Sequence, residues 1–174
     1  SGVFVPEMHH NDTDLPRFAG WWGHNKERRF LMEPNFDPVR GAEGWQISNL
    51  PVISLAPYLA SVEMFDEVGM PALIEKRDRI TAYLEFILHE IDREVKGHFE
   101  ILTPAEPKER ACQLSVFLHG EGRQLFDYLM KEGVIVDWRE PNVIRLAPVP
   151  LYCSFEDMYA FGQILKAGIL SHKK

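Results

Sequence analysis

The sequence predicts an α/β fold in which a small α+β domain, a short sheet with helices packed on one face, makes up most of the chain. Three observations lead to this class: a loop-rich start, helical spacing of apolar residues over 51–95, and short strand-like segments that alternate with two further helices. With 174 residues, of which 45% are hydrophobic and 26% charged, the chain can bury a core of its own.

The first 50 residues are rich in Gly, Pro, Trp and charge and show little periodicity. Only residues 2–5 are predicted to form a strand. An irregular stretch of this length is expected to rest on another part of a protein rather than to form a domain by itself.

Two helices follow this stretch. The first is predicted over residues 51–68, because a proline suits a first helical position and Asn49 can cap the start. Its apolar residues lie nearly all round, so much of it is expected to be buried. The second is predicted over 70–95, where apolar residues recur every three or four positions and Gly97 provides a stop.

The remainder alternates between strands and helices. A short helix is predicted over 124–132, ended by Gly133, and a last helix runs to about Ser171 from a capping-box-like start at Ser154 and Asp157. Short apolar or alternating runs predict strands at 99–102, 112–118, 134–136 and 143–146.

Composition and charge argue against several classes of protein. The chain carries 19 Lys and Arg against 26 Asp and Glu, a net charge of −7, which disfavours a nucleic acid or an anionic membrane as partner. No apolar run approaches the ~20 residues of a membrane-spanning helix, and the start lacks a signal-peptide pattern. Two separated cysteines, Cys112 and Cys153, indicate a reducing, cytoplasmic setting.

The most unusual local feature is the run Gly20-Trp21-Trp22-Gly23-His24. Its indoles either form a hydrophobic plug under a loop or present an N–H and an aromatic face to a ligand. His24 is expected to be a hydrogen-bonded structural residue, because no nucleophile lies near it in the sequence.

Two further positions suggest anion binding. Asn49 ends a glycine-containing stretch before a helix, so it is either a plain helix cap or part of a site for an anion such as phosphate. Arg145 lies between apolar strand residues and must be paired, either in a structural ion pair or as a bidentate fork for a substrate carboxylate.

Other familiar sites are not predicted. The sequence has no dinucleotide fingerprint, P-loop, HExxH or nucleophile-elbow motif. The run His9-His10-Asn11-Asp12 is expected to be a solvated loop rather than a metal site, because adjacent residues rarely share a coordination sphere.

The unusual stretches, taken in order, resemble the kynureninase family of fold-type-I, class V aminotransferase-like pyridoxal-phosphate enzymes. The matching runs are 20–24, 29–32, 44–49, 60–63, 110–114 and 142–152. The resemblance covers nearly all of this chain but only the later part of the family's chain. It implies that residues 1–50 are the edge of a large cofactor-binding domain, 51–69 a bridging helix and 70–174 the C-terminal small domain.

The resemblance also implies site residues. Trp21 and Asn49 match positions that contact the phosphate of pyridoxal 5'-phosphate from the partner subunit of a homodimer, and Arg145 matches the arginine that holds the amino-acid carboxylate. His24 and Trp22 are implied to lie near the site as substrate-binding residues, with Trp22 standing where some members have Phe. The Schiff-base lysine of the family lies upstream, so none of the eight lysines here is nominated and no catalytic residue is expected.

The implied reaction is the hydrolytic cleavage of the Cβ–Cγ bond of L-kynurenine or 3-hydroxykynurenine, giving anthranilate or 3-hydroxyanthranilate and L-alanine, in tryptophan catabolism and NAD biosynthesis. This chain alone is expected to be inactive. One alternative is a non-catalytic small-domain protein that binds a carboxylate or a partner through Arg145. Another is a relative of cysteine desulfurase, which needs a reactive cysteine on a mobile loop that neither Cys112 nor Cys153 provides.

Overall fold

The computed structural model describes residues 2–120 and 122–171, and the chain divides into two compact units, Ser1–Phe65 and Asp66–Lys174. The first unit consists mostly of turns, with two short 3-10 helices at Glu7–His9 and Ala42–Trp45. Its backbone is held by hydrogen bonds between separate loops, such as Val39 N–H to the Gly23 carbonyl at 2.8 Å. A loop-rich start is therefore confirmed.

The strand predicted at residues 2–5 is wrong. These residues form no strand, and Phe4 is 87% exposed. A strand exists only where a second strand pairs with its backbone, and no described segment does so here.

Helix α1, Val52–Val68, begins in the first unit and ends in the second. The helix itself is confirmed, but its predicted burial is wrong, because none of its residues is buried and Ile53 is 91% exposed. The capping role of Asn49 is also wrong. The Pro51 carbonyl accepts the first hydrogen bonds, from Ser54 and Leu55, so Asn49 lies two residues before the capping position.

Among its described residues, the second unit contains three complete α-helices, a short 3-10 helix at Pro107–Glu109 and four strands. The helices are α2 (Met70–Val95), α3 (Gly122–Lys131) and α4 (Phe155–Ser171). The strands are β1 (Phe99–Ile101), β2 (Leu114–Leu118), β3 (Asp137–Arg139) and β4 (Val143–Leu146). They form one antiparallel sheet in the order β1-β2-β4-β3. The small α+β domain is thus confirmed.

The core of this unit lies between one face of the sheet and the helices. Alternate strand residues are buried, with Val116 and Ile144 only 0–1% exposed, and they share a cluster with apolar residues of all three helices. Helix α4 packs closely on α2 at Gly162, where a Cβ atom would lie 2.4 Å from Cγ2 of Ile87. Helix α4 starts at the expected capping box, in which Ser154 Oγ accepts the Asp157 N–H and the Asp157 carboxylate accepts the Ser154 N–H.

The strand predicted at residues 134–136 is wrong, because the strand lies three residues later, at Asp137–Arg139. Val134 and Val136 pack against the core without joining the sheet. Cross-strand pairing decides the register instead, since Trp138 lies opposite Ile144 and packs on Phe126 with ring centroids 5.6 Å apart.

Candidate functional site

The turn that carries the paired tryptophans lies directly on the segment before Asn49. The Gly23 N–H donates to the Gly20 carbonyl at 3.1 Å and to the Gln46 carbonyl at 2.8 Å. A Cβ atom on Gly20 would lie 2.0 Å from the Ile47 carbonyl oxygen, so only glycine fits there. Two of the stretches singled out in the sequence are therefore in contact within the first unit.

The two indoles meet edge to face, with ring centroids 5.0 Å apart. The Arg29 guanidinium lies 5.8 Å from the Trp21 ring and 5.2 Å from the Trp22 ring, and its Nη2 donates to the carbonyls of Trp22 and His24. Trp22 is half-buried, whereas Trp21 is 42% exposed. The arrangement leaves the Trp21 ring accessible to a ligand and packs Trp22 beneath the turn.

His24 is 8% exposed, and its Nδ1 accepts the backbone N–H of Asp37 at 3.1 Å. Its ring also packs on Phe36, with centroids 5.6 Å apart. The expected structural, hydrogen-bonded histidine is confirmed. Because Nδ1 accepts a hydrogen bond, the proton of the neutral ring lies on Nε2.

Trp21 and His24 line one cavity of about 310 Å³, together with Arg29 and neighbouring loop residues. Asn49 is not among its lining residues, and its side chain is exposed. Within residues 2–120 and 122–171, neither the Trp21 indole N–H nor the Asn49 amide has a hydrogen-bond partner. Both are neutral donors of the kind that bind phosphate oxygens, so their chemistry fits the phosphate of pyridoxal 5'-phosphate.

Arg145 belongs to the second unit, in the middle of β4. It lies opposite Asp137 of β3 on one side and Ser115 of β2 on the other. Its Nε donates to Asp137 Oδ2 at 2.6 Å, and its Nη2 donates to the same oxygen. The expectation that this guanidinium is paired is confirmed. Its side chain is 32% exposed, so it is paired without being enclosed.

Asp137 also forms an ion pair with Arg139, whose Nη2 lies 3.1 Å from the same Oδ2. The sequence reasoning missed Asp137. A signal was present, because a hairpin centred on Pro141 places residues four positions to either side opposite one another, which pairs Asp137 with Arg145.

A second ion pair, between Arg110 and Glu85, joins α2 to the segment before β2. Both guanidinium Nη atoms donate to the carboxylate, at 3.0 and 2.6 Å, and the Arg110 side chain is only 6% exposed. The hydrogen bond from Arg110 lowers the pKa of Glu85 against the opposing effect of burial. The Glu85 side chain is 19% exposed, so both partners are largely buried and the pair is a structural tie.

Other kinds of site are not found in the part of the chain that the structure describes. No group of three His, Cys, Asp or Glu residues is placed to hold a metal ion, and His10 Nε2 instead bonds the Val5 carbonyl at 3.0 Å. Cys112 and Cys153 are free and half-buried. Among the same described residues, no helix has the length and apolarity that crossing a bilayer requires.

Comparison with known proteins identifies the family. The family model described as "Kynureninase C-terminal domain" matches residues 75–165. Proteins named "Kynureninase" are 81% identical over 172 residues in Flavobacterium psychrophilum, 84% over 170 in Flavobacterium johnsoniae and 73% over 171 in Christiangramia forsetii. Each comparison covers 98–99% of this chain but 40% of the relative. The chain therefore spans about two fifths of the length of these relatives, and it belongs to the kynureninase C-terminal domain family.

Proposed function

We propose that this chain supplies the carboxylate-binding and part of the phosphate-binding side of a kynureninase site. The complete enzyme is a pyridoxal-phosphate-dependent hydrolase that cleaves the Cβ–Cγ bond of L-kynurenine or 3-hydroxykynurenine. The observation that carries the proposal is 81–84% identity, over almost the whole chain, to two proteins named kynureninase. We further propose that the complete enzyme is a homodimer and acts in the cytoplasm.

Arg145 has the chemistry for its proposed role. A guanidinium presents planar pairs of N–H donors that match the two oxygens of a carboxylate. Its position on a paired strand, opposite Asp137, restricts where those donors point. We assign it to the α-carboxylate of the amino-acid substrate, where it orients the molecule for reaction.

Trp21 and Asn49 are assigned to the cofactor phosphate. Trp21 is held by the turn that rests on Ile47, and its indole N–H is unengaged among the described residues, as is the Asn49 amide. His24 is assigned to the edge of the cavity that it lines together with Trp21. Its ring is held there by the hydrogen bond at Nδ1, so its Nε2–H can donate in one fixed direction. Trp22 packs edge to face against Trp21 and supports its position. The cofactor, when bound, supplies the electron sink for carbon–carbon cleavage, and no lysine of this chain is assigned to hold it.

A chimeric enzyme tests this proposal. This chain replaces the matching 170 residues of the Flavobacterium johnsoniae relative, to which it is 84% identical. With pyridoxal 5'-phosphate, the chimera is expected to form anthranilate from L-kynurenine, and the 174-residue chain alone to form none. A folded, cofactor-loaded chimera without turnover would contradict the proposal, as would turnover by the pure chain.

The same preparation of the chain alone addresses the non-catalytic alternative. Calorimetric titration with L-kynurenine, without cofactor, is expected to show no binding. Binding that Arg145→Ala abolishes would instead favour a small-domain protein that recognises a carboxylate by itself.

A further inference from the structure

We propose that Asp137 is a positioning residue for carboxylate recognition, holding one edge of Arg145 so that the opposite edge faces the substrate. Arg139 is the third member of this arrangement and keeps the group positively charged. The inference rests on the proposed function, because it assumes that Arg145 binds the substrate carboxylate. It adds two residues, Asp137 and Arg139, that act through Arg145.

The donor geometry of Arg145 carries the first step. A guanidinium has five N–H bonds, arranged as one pair on the Nε–Nη2 edge, one pair on the Nη1–Nη2 edge and a remaining bond on Nη1. Asp137 Oδ2 occupies the Nε–Nη2 edge. Within residues 2–120 and 122–171, no hydrogen bond engages Nη1. The two N–H bonds of the Nη1–Nη2 edge therefore remain available to bind a second carboxylate.

The sheet carries the second step. Asp137 lies directly opposite Arg145 in the β3–β4 ladder, where facing side chains are about 5 Å apart at Cβ. Aspartate is short, so its carboxylate cannot move far from this place. Arg145 is long and would otherwise sample many rotamers in its half-exposed position. The fixed carboxylate therefore selects one orientation of the guanidinium before any ligand arrives.

Charge carries the third step. An isolated Arg145–Asp137 pair would have no net charge and would attract an anion weakly. Arg139 Nη2 also lies 3.1 Å from Asp137 Oδ2, so two guanidinium groups share one carboxylate and the group keeps a net charge of +1. These side chains are 32–59% exposed, and exposed ion pairs add only about 0–1 kcal/mol to stability. A role in orienting a ligand explains the arrangement better than a role in folding.

The test compares Asp137→Asn with a matched control in the chimeric enzyme. The control is Asp127→Asn, which removes a carboxylate that is 61% exposed, against 44% for Asp137, from the Arg123 pair on α3. Asp137→Asn raises the net charge of the group to +2, so an effect of charge alone would lower the KM for L-kynurenine. Positioning predicts the opposite sign, a KM raised about tenfold with kcat nearly unchanged. An unchanged or lowered KM would overturn the inference.

A second ligand separates positioning from general damage. The decarboxylated amine of kynurenine lacks the group that Arg145 would bind, so its inhibition constant should be the same in the parent enzyme and in Asp137→Asn. Equal weakening of both ligands would show a merely structural role. Should Asp137→Asn fold poorly, Arg139→Gln provides the second variant. It removes the net charge of the group, and we expect a raised KM whose increase shrinks at high salt; an unchanged KM would reject the charge step.

Failure of the inference and failure of the proposed function give different results. If Arg145→Gln leaves the KM for L-kynurenine unchanged, the proposed role of Arg145 itself is wrong. If Arg145→Gln raises KM while Asp137→Asn behaves like Asp127→Asn, the role of Arg145 stands and the positioning role of Asp137 is wrong.

Discussion

Two arginines of the second unit differ, at the scale of single residues, in how far their ion pairs are enclosed. Arg110 is 6% exposed and uses both Nη atoms on the Glu85 carboxylate, which leaves its bidentate face occupied. Arg145 is 32% exposed and uses its side edge on Asp137. The first arrangement is satisfied within the fold, and the second retains donors for a ligand.

Arg110→Met is expected to destabilise the chain by about 2–3 kcal/mol, because it leaves the largely buried Glu85 carboxylate unpaired. Urea unfolding at neutral pH measures this loss. The control is Arg79→Met, which removes an exposed 3.8 Å pair with Glu75 and should cost less than about 1 kcal/mol. Equal effects of the two substitutions would contradict the structural role of Arg110.

The Glu85 pair also predicts a pH dependence. The pKa of Glu85 in the folded chain is lowered from 4.5, so the pair's contribution is complete above that value and is lost as pH falls through the lower folded-state pKa. The stability difference between the parent chain and Glu85→Gln should therefore be largest at neutral pH and shrink in acid. Urea unfolding over a pH series measures it, and a difference that grows in acid would show the opposite sign.

At the scale of elements, helix α4 depends on its first turn. Ser154 Oγ accepts the Asp157 N–H at 3.1 Å, and Ser154→Ala removes this bond at a cost of about 1 kcal/mol. Thermal unfolding measures the change. Ser61→Ala is the control, because it removes a hydroxyl from the interior of the exposed helix α1 and should stay within about 0.5 kcal/mol. A neutral Ser154→Ala would show that the cap is not needed.

The elements that the sequence predicted well are those with long or local signals. Helix α2 was predicted with its observed bounds because its apolar repeat runs over 26 residues, and the start of α4 was predicted from the capping box alone. Strand β3 was misplaced because residues 134–136 are apolar enough for a strand. Its true position depends on the pairing of Trp138 with Ile144, a cross-strand contact that the local sequence pattern does not show. Arg145 was identified from its apolar neighbours, whereas the misplaced strand at 134–136 hid the hairpin centred on Pro141 that pairs Asp137 with Arg145.

At the scale of the whole molecule, helix α1 is notable because it leaves a large apolar surface exposed. Most of its apolar side chains are exposed, among them Ile53 at 91% and Leu59 at 58%. Large exposed apolar surfaces mark contacts with other protein. Burial of this helix was predicted from its composition, and no described part of this chain supplies the cover. In the proposed enzyme, the part of the relatives' length that this chain does not match would supply it.

This surface gives a prediction for the isolated chain. The chain should bind an apolar fluorescent dye and self-associate with rising concentration, because each contact removes α1 from water. Ile53→Lys with Leu59→Lys should reduce both effects. Lysine substitutions at the exposed charged positions Glu75 and Asp127 serve as the control. Dye fluorescence that is unchanged by the α1 substitutions would show that the dye-binding apolar surface lies elsewhere.

The most direct measurement for the account as a whole is kcat/KM for L-kynurenine in the chimeric enzyme, with Arg145 and with Arg145→Gln. If residues of this chain hold the substrate, the parent chimera turns over and the substitution lowers kcat/KM by about a hundredfold, with bound pyridoxal 5'-phosphate retained. Equal kcat/KM in the two cofactor-loaded proteins would contradict the claim that this unit recognises the substrate carboxylate.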